Sequence, residues 1–340
     1  ADVCRQCHLQ GVARIDRRGR SPFEYRPGLP WDQFVSVFLP AADPDDARKS
    51  VGHFEQMEQS RCATGGLSCT SCHDPHSAPA ADEVAAHYRG RCLTCHERRG
   101  CSAPPADRQA RGDSCVACHM PARDSSTIVH AAVTDHRILR RPTAGRPAGR
   151  PAAADLPPPV PYRPGPHAPP PEERERDWVV AAGQEITRGP GPAPAGLVRV
   201  ALSKAETALA RWPGDDACWS AAAALHLARG ESGPALDSAG RAAALAPDSE
   251  PALGRLAEAA SAAGDFERMA DACRRLVALS PTSADARVTL ATALTCLHRW
   301  DEGEAEARAA LAVQPLHPKG RVVLAVCLSR RGDPKAARAE

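Results

Sequence analysis

The segment Cys69-Thr70-Ser71-Cys72-His73 contains two cysteines three positions apart, followed directly by a histidine. The same five-residue pattern, Cys-x-x-Cys-His, occurs four times in the first 120 residues of the 340-residue chain. A pattern of this kind specifies a repeated chemical site, so the fold of this part of the chain has to be built around it. The twelve residues concerned are Cys4, Cys7 and His8; Cys69, Cys72 and His73; Cys92, Cys95 and His96; and Cys115, Cys118 and His119.

Cys-x-x-Cys-His is the attachment signature of c-type haem. The two thiols add to the two vinyl groups of one porphyrin, and the histidine that follows binds the iron from the proximal side. Paired Cys-x-x-Cys segments with 19 intervening residues, as between Cys72 and Cys92, are also typical of zinc ribbons. Zinc does not explain a histidine after all four pairs, and no βαβ pattern indicates a thioredoxin-like site. The motifs therefore predict four covalently bound c haems.

The composition of residues 1–140 favours the same interpretation. Aromatic residues make up only 4% of the chain, and a segment of this length with few large apolar side chains cannot build an ordinary core. We expect packed porphyrins to supply the core and regular secondary structure to be sparse. Two short helices are predicted, one from an N-cap at Asp43 to about Ser60 and one from Asp82 through Tyr88. Val51, Phe54 and Met57 fall on one face of the first helix.

Each haem iron has a second axial position, for which the sequence offers five further histidines in residues 1–140. A surplus of imidazoles over irons favours ligation by two histidines throughout, an arrangement suited to electron transfer. His76 follows His73 too closely to reach the opposite face of the same porphyrin, so we expect it to ligate a neighbouring haem. His87 lies within a predicted helix, and Met57 and Met120 are weaker alternatives. The predicted distal ligands are His53, His76, His130 and His136.

Two cysteines of the first segment, Cys62 and Cys101, lie outside the motifs. Thioether bonds to haem are made on the oxidising side of the bacterial inner membrane, so the sequence predicts a periplasmic or other extracytoplasmic location. Spare thiols in that compartment tend to pair. A Cys62–Cys101 disulfide and two free thiols are both consistent with the sequence.

Residues 141–171 are rich in proline, alanine and arginine and include two runs of three prolines. Such a composition is typical of a stiff polyproline spacer. A ligand for a proline-recognition domain is the alternative interpretation. The segment therefore divides the chain into a predicted haem domain at 1–140 and a second domain at 172–340.

In the second domain, prolines recur every 34 residues, which is the period of tetratricopeptide repeats. The positions are Pro213, Pro247, Pro281 and Pro315. Three complete repeats are predicted at 216–249, 250–283 and 284–317, with a degenerate repeat before them and a truncated one at the end. A solenoid of this kind presents a groove for a peptide or a partner protein.

The repeats also contain histidines and cysteines for which the sequence predicts structural roles. His298 stands where a glycine usually makes the turn between the two helices of a repeat. None of the histidines of this domain follows a Cys-x-x-Cys pair, so we expect His226, His298 and His317 to be solvated. The cysteines are expected to be small packing residues rather than ligands: Cys218, Cys273, Cys296 and Cys327.

Charge and hydropathy exclude some partners. The net charge is only +2, from 43 basic and 41 acidic side chains, which does not indicate binding to nucleic acid or to an anionic membrane surface. No apolar run is long enough to cross a bilayer. Since the chain opens with Ala1-Asp2, we expect any signal peptide or membrane anchor to lie outside it.

Several short stretches of the first domain resemble one group of proteins. They include Gly52 to Met57, Ser71 to His76, Cys118 to Pro121 and Thr134 to Ile138. The chain resembles bacterial multihaem c-type cytochromes fused to tetratricopeptide repeats, and more distantly periplasmic tetrahaem cytochromes and doubled-motif cytochromes. The resemblance implies that the matching histidines 53, 76, 130 and 136 are distal ligands. It also implies that further haem motifs commonly precede the part of the protein seen here.

The expected architecture is therefore mainly α, with a haem-packed cytochrome domain followed by an α-α superhelical solenoid. The expected function is electron transfer through a chain of haems between redox partner proteins, with the repeats docking a protein partner. One alternative is a multihaem oxidoreductase that acts on a small nitrogen or sulfur compound at an open haem site. No motif carries lysine in place of the proximal histidine, a known feature of such sites. A further alternative is a redox sensor in which the repeats carry the output.

Overall fold

The computed structural model describes residues 2–39, 52–98, 100–124, 132–140, 158–162, 167–188 and 191–332. By its internal contacts the chain forms two compact units, residues 1–152 with 159–168 and residues 169–340 with 153–158. The chain is mainly helical, as predicted. No helix in the described ranges is long and apolar enough to span a bilayer.

The helices of the first unit are short. They are α1 (Asp2–His8), α2 (His53–Glu58), α3 (Arg61–Thr64), α4 (Cys69–Cys72), α5 (Val84–His96), α6 (Pro105–Gln109) and α7 (Cys115–His119). The prediction of sparse, short helices is thus confirmed for the described residues. The helix expected from Asp43 is described only from His53 onward, because residues 40–51 lie outside the described ranges. The helix expected at 82–88 begins at Val84 and continues through the third motif to His96.

Two small antiparallel sheets complete the first unit. The strands are β1 (Ala13–Asp16), β2 (Val35–Leu39), β3 (Ala122–Asp124), β4 (Ala132–Thr134) and β5 (Val160–Pro161). One sheet has the order β1-β2-β5, with Ala13 opposite Phe38 and Leu39 opposite Val160, and the other pairs β3 with β4. Strand β5 comes from the proline-rich segment. It lies at an edge, where the missing N–H of Pro161 costs no ladder bond.

A compact aromatic core lies beside the first motif. The edges of the Tyr25 ring meet Trp31 and Phe34 at centroid separations of 5.2 and 5.9 Å. Leu9, Val35, Val37, Phe54 and Met57 are buried in the same cluster. The expectation that porphyrins alone would supply the core is therefore wrong for this part of the chain. The low overall aromatic content concealed the concentration of aromatic residues between positions 23 and 54.

The second unit is a solenoid of paired helices. Its members are α8 (Pro171–Arg188), α9 (Ala195–Arg211), α10 (Asp216–Ala228), α11 (Ser232–Leu245), α12 (Glu250–Ala263), α13 (Phe266–Leu279), α14 (Ala284–Cys296), α15 (Trp300–Val313) and α16 (Pro318–Arg330). From α10 onward, the first helix of each pair begins 34 residues after the previous one. Buried small residues at equivalent positions, such as Ala223, Ala257 and Ala291, let the helices pack closely.

The position before each first helix carries an N-cap. Asp215, Ser249 and Ser283 accept a hydrogen bond from a backbone N–H of the next turn, as expected for these residue types. His317 occupies the same position, and its Nδ1 accepts from the Gly320 N–H at 3.1 Å. Its side chain is buried and its Nε2 lies 2.9 Å from Asp285. The prediction that His317 is solvated is therefore wrong, because its place in the repeat makes it a cap.

The other histidines and the cysteines of the solenoid fit the predictions in part. His298 is exposed, whereas His226 is partly buried, with its Nδ1 2.7 Å from Glu231. Cys218, Cys273 and Cys327 are buried among the helices, but Cys296 is exposed. Three of the four cysteines are thus small packing residues of the interior, as predicted, and Cys296 lies outside the core.

A buried charge cluster joins the first two helix pairs. The Arg176 guanidinium lies 2.9 Å from Asp177 and 2.7 Å from Asp215, and all three side chains are almost fully buried. Asp215 also caps α10 by accepting from the Cys218 N–H at 2.9 Å. Because removal of one member leaves an uncompensated buried charge, this cluster holds α8 against the start of α10.

The turn at His298 gives a direct test of the repeat geometry. His298 has φ +60°, whereas the equivalent Gly230, Gly264 and Gly332 have φ +74°, +72° and +89°. The left-handed conformation costs an L residue roughly 1–2 kcal/mol, part of which a glycine recovers. In the isolated second unit, residues 169–340, we expect His298→Gly to raise the free energy of unfolding by about 0.5–1 kcal/mol.

Urea unfolding followed by circular dichroism measures this effect. The matched control is Gly264→His, which places a side chain in the same left-handed turn of the preceding repeat and should lower stability by about 1 kcal/mol. Shifts of the same sign in both variants, or a fragment without helical signal, would contradict the described repeat.

Candidate functional site

The four Cys-x-x-Cys-His motifs share one local geometry. Each lies on a helical turn: the first on α1, the second on α4 with His73 as its C-cap, the third at the end of α5 and the fourth on α7. Residues three positions apart lie on the same side of a helix. The two thiols of each motif are therefore neighbours on one face, and the histidine leaves the turn directly after them. Serines cap the second and fourth turns, at Ser68 and Ser114.

The thiols of the motifs are accessible. All eight are free and are partly or fully exposed, in contrast to the buried Cys218, Cys273 and Cys327 of the solenoid. Exposed, unpaired thiols at this spacing fit the vinyl groups of a porphyrin. In the described residues, no group of three or more His, Cys, Asp or Glu side chains is arranged to hold a metal ion directly.

Neighbouring motifs lie close together in the order of the chain. Burial and the nearby Cys4 thiol, which is within hydrogen-bonding reach, raise the pKa of Cys69. Burial, followed by the thiols of Cys115 and Cys72, raises the pKa of Cys92 to about 11. The first motif is thus next to the second, the second next to the third, and the third next to the fourth.

The two cysteines of the first unit that lie outside the motifs do not pair in the structure. Cys62 and Cys101 are both free thiols, which is the second of the two states that the sequence allowed. Cys62 lies on α3, where it contributes to the raised pKa of Cys72 and of Cys92. Its neighbours are therefore motif cysteines, whereas Cys101 lies exposed beyond the end of α5.

Four histidines from distant parts of the chain form a cluster. The ring centroids of His8 and His53 are 5.3 Å apart, those of His53 and His136 are 4.5 Å apart, and those of His73 and His136 are 6.3 Å apart. His8 and His73 are predicted proximal ligands, while His53 and His136 are predicted distal ligands. The structure therefore brings two proximal and two distal candidates together.

The environment of the cluster favours neutral imidazoles. Burial, followed by the rings of His136, His8 and His73, lowers the pKa of His53 to about 4. Burial also lowers the pKa of His136. Since only the neutral ring has a nitrogen lone pair for a metal, the lowered pKa values of both side chains favour the protonation state that iron binding requires.

Hydrogen bonds at Nδ1 orient three of the predicted ligand histidines, two in the cluster and one in the fourth motif. His136 Nδ1 lies 2.8 Å from the Thr134 carbonyl oxygen, and His119 Nδ1 lies 2.7 Å from that of Leu139. A carbonyl oxygen only accepts, so each Nδ1 carries the proton and Nε2 is left with the lone pair. This is the usual outer-shell arrangement of a metal-binding histidine. His73 Nδ1 lies 3.3 Å from the hydroxyl of Tyr88.

The segment that carries His136 is fixed by its neighbours. The His136 N–H donates to Oε1 of Gln56, a buried residue of α2, at 2.9 Å. Asp135 and Arg137 form a buried ion pair at 2.7 Å, and the Asp135 N–H donates to the Pro121 carbonyl at 3.1 Å. His136 is thus held between α2 and the residues that follow the fourth motif.

Strand β5 supports the helix that carries His53. The Tyr162 N–H donates to the Val37 carbonyl at 2.8 Å, and the Tyr162 hydroxyl donates to the Glu58 carboxylate at the end of α2. The Tyr162 ring also meets the edge of Phe54 at 6.4 Å. Burial, followed by Glu58, raises the pKa of Tyr162. Part of the proline-rich segment therefore braces α2.

Other predicted ligands lie apart from the cluster or outside the described residues. His76 is exposed in a turn, where its N–H donates to Asp74 Oδ1 at 2.9 Å, and His130 lies outside the described ranges. His87 packs against the edge of Tyr88 at 5.1 Å. Gln56 and Tyr88 also contact predicted ligands, and no sequence pattern marks either residue for this role. Each is recognised only by its hydrogen bond to a predicted ligand, Gln56 to His136 and Tyr88 to His73. These contacts form only when separate parts of the chain fold together.

Comparison with known proteins supports the cofactor. Residues 62–101, which contain the second and third motifs, match the family described as Doubled CXXCH motif. A search of curated proteins found no match to the chain. The doubled motif supports covalently bound c-type haem in this part of the chain.

Solved structures similar to the chain include several of MamA. One crystal structure of MamA has a TM-score of 0.41 at 16% identity and covers 46% of this chain and 88% of its own. Another has a TM-score of 0.43 at 16% identity, with coverages of 49% and 87%. MamA 41-end from Desulfovibrio magneticus RS-1 has a TM-score of 0.42 at 17% identity, with coverages of 48% and 90%. Similarity at this level identifies no function.

The contact between Gln56 and His136 generates a stability prediction. Gln56→Ala leaves the partly buried N–H of His136 without this acceptor, which should cost about 1 kcal/mol. Urea unfolding of the haem-loaded protein, followed by the haem absorbance, measures the change. The control is Gln59→Ala on the exposed side of the same segment, which should remain within about 0.5 kcal/mol of the unmodified protein. Equal midpoints for the two variants would show that Gln56 does not hold His136.

Proposed function

We propose that the first unit transfers electrons through four covalently bound c haems and that the solenoid docks it to a protein partner in the periplasm. The observation that carries this proposal is the cluster of His8, His53, His73 and His136 beside accessible motif thiols. When bound, each haem would take up and release one electron at a time. The partners we propose are redox proteins, with no nucleic acid.

The residues of the chain have separate tasks in this proposal. The thiols anchor each porphyrin on a helical turn, and the proximal histidines are His8, His73, His96 and His119. The Leu139 carbonyl fixes the orientation of His119 by accepting its Nδ1–H. Hydrogen bonds of this kind raise the basicity of a ligand and tune the potential of its metal. The protein thus sets orientation and electronics, and the cofactor supplies the redox change.

The placement of the motifs favours transfer between neighbours. Thiols of successive motifs approach one another in chain order, from Cys4 to Cys69 and from Cys72 through Cys92 to Cys115. Porphyrins attached at adjacent turns would lie side by side. An electron would therefore pass along the unit in short steps, with the first and fourth motifs at the two ends.

The four proposed distal ligands rest on different kinds of observation. His53 and His136 lie against proximal histidines, and His136 has its Nδ1 committed to a carbonyl. His76 and His130 are proposed from the sequence and its resemblance alone. With all four in place, every iron would be six-coordinate, which suits electron transfer rather than binding of small molecules.

The solenoid supports a docking role through its architecture. Stacked helix pairs present extended surfaces that are used for peptide and protein partners. Fold alone does not name the partner. We therefore propose protein docking as the class of function, with the haem unit brought to its redox partner by the repeats.

A second candidate is an oxidoreductase that acts on a small nitrogen or sulfur compound. It is favoured by the position of His76, which is exposed and takes part in no described ring contact with another histidine. An iron without its sixth ligand would have an exchangeable site. Ligand state therefore separates the two functions.

Spectroscopy of the haem-loaded protein tests the choice. A carrier with four axial histidine pairs should be low-spin in both redox states, and carbon monoxide should barely perturb the reduced form because it would have to displace an imidazole. Absorption and electron paramagnetic resonance spectra measure this. His76→Ala should then create one high-spin haem. A high-spin fraction in the unmodified protein, together with carbon monoxide binding, would favour the oxidoreductase.

A further inference from the structure

The spacing of one histidine pair is that of two ligands of a single metal. The ring centroids of His73 and His136 are 6.3 Å apart, with an interplanar angle of 30°. Metal bonds to imidazole nitrogen are about 2.0–2.1 Å long, so two rings on opposite faces of one iron have centres roughly 6 Å apart. The pair is already at that separation.

The other two contacts in the cluster are too short for a metal between the rings. His53 and His136 have centroids 4.5 Å apart and planes tilted by 58°. His8 and His53 have centroids 5.3 Å apart, and their Nδ1 atoms are 3.2 Å from each other. These rings contact each other directly. Of these three ring contacts, the one between His73 and His136 has the separation of two axial ligands.

The nitrogens of the pair are assigned by their hydrogen bonds. His136 donates from Nδ1 to the Thr134 carbonyl at 2.8 Å. His73 Nδ1 is 3.3 Å from the Tyr88 hydroxyl, and the two rings meet edge to face at 5.6 Å. His136 is thereby left with Nε2 for the iron. An iron bound at Nε2 of His73 would leave the proton on Nδ1, which would then donate to the Tyr88 hydroxyl. Tyr88, on α5, acts as a positioning residue that links the third motif's helix to the ligand of the second motif.

We propose that His73 and His136 are the axial pair of the haem attached to Cys69 and Cys72, and that Tyr88 tunes its potential through His73. The proposal rests on the proposed function, since it presupposes haem at the second motif. Ligation forms two iron–nitrogen bonds and needs no further reactant. The pairing closes a loop between residues 73 and 136, so the second haem fastens the end of the first unit to its middle.

A comparison of two backgrounds tests the pairing. His136→Ala is made in the full four-haem protein and in a Cys69→Ser, Cys72→Ser variant that lacks the second haem, with the haem count of each checked by intact mass. In the four-haem background, one haem should become high-spin by electron paramagnetic resonance and should bind carbon monoxide when reduced. In the three-haem background, the same substitution should add no high-spin haem.

Each outcome decides one way. A high-spin signal that persists in the three-haem background would assign His136 to another iron and overturn the pairing, although the proposed function would stand. No signal in either background, with all haems attached, would show that His136 is not a ligand. A protein without haem at the second motif would overturn the pairing together with the proposed function, and intact mass reveals that case separately.

If His136→Ala does not fold, the reduction potentials of two milder variants test the same pairing. His136→Met keeps a ligand at this position and should raise the potential of one haem, because thioether ligation favours the reduced state. Tyr88→Phe removes the acceptor for His73 Nδ1–H and should raise the potential of that same haem by a smaller amount. The two effects should be non-additive in the double variant. Shifts that fall on two different haems, or that add independently, would overturn the proposal. Ala86→Ser, at an exposed position of the same helix, is the control and should leave all potentials unchanged.

Discussion

The first unit depends on the constraint that two thiols and an imidazole must meet one porphyrin from a single helical turn. This constraint explains why its helices are short and why several of them coincide with a motif. It also explains why the motif thiols are accessible, whereas three of the four cysteines of the solenoid are buried. A segment that presents reactive groups outward cannot also bury a large apolar face. A compact aromatic core near the first motif supplies part of its cohesion, and the proposed haems would add to it.

The histidine cluster connects the local constraint to the fold. His8 lies on α1, His53 begins α2, His73 directly follows α4 and His136 lies two residues after β4. These histidines therefore meet only when the whole unit has folded. The aromatic core positions α1 and α2, Gln56 fixes the backbone of His136, and Tyr162 of β5 braces the end of α2. Each of these contacts acts on the direction of an imidazole. The scaffold around the motifs thus sets the orientation of these imidazoles.

Sequence patterns predicted the features that depend on neighbours in the chain. The twelve motif residues and the 34-residue step of the solenoid are local or periodic, and the unusual turn residue His298 was found by its place in the repeat. His53 and His136 contact His8 and His73 although up to 128 residues of chain separate them. The carbonyl oxygens that orient His119 and His136 have no signature in the sequence. Strand β5 was missed because its proline-rich surroundings indicated a spacer. His317 was misjudged although the signal existed, since Asp215, Ser249 and Ser283 occupy the same capping position.

The central claim is that all four motifs carry covalent haem. The full chain should be produced with a cytochrome c maturation system, and its haem content should be measured by pyridine haemochrome absorbance together with intact mass and peptide mapping. We predict four haems per chain, each attached to the two cysteines of one motif, with none in residues 169–340. Zinc in place of iron, or unmodified motif cysteines in the mature protein, would contradict this account.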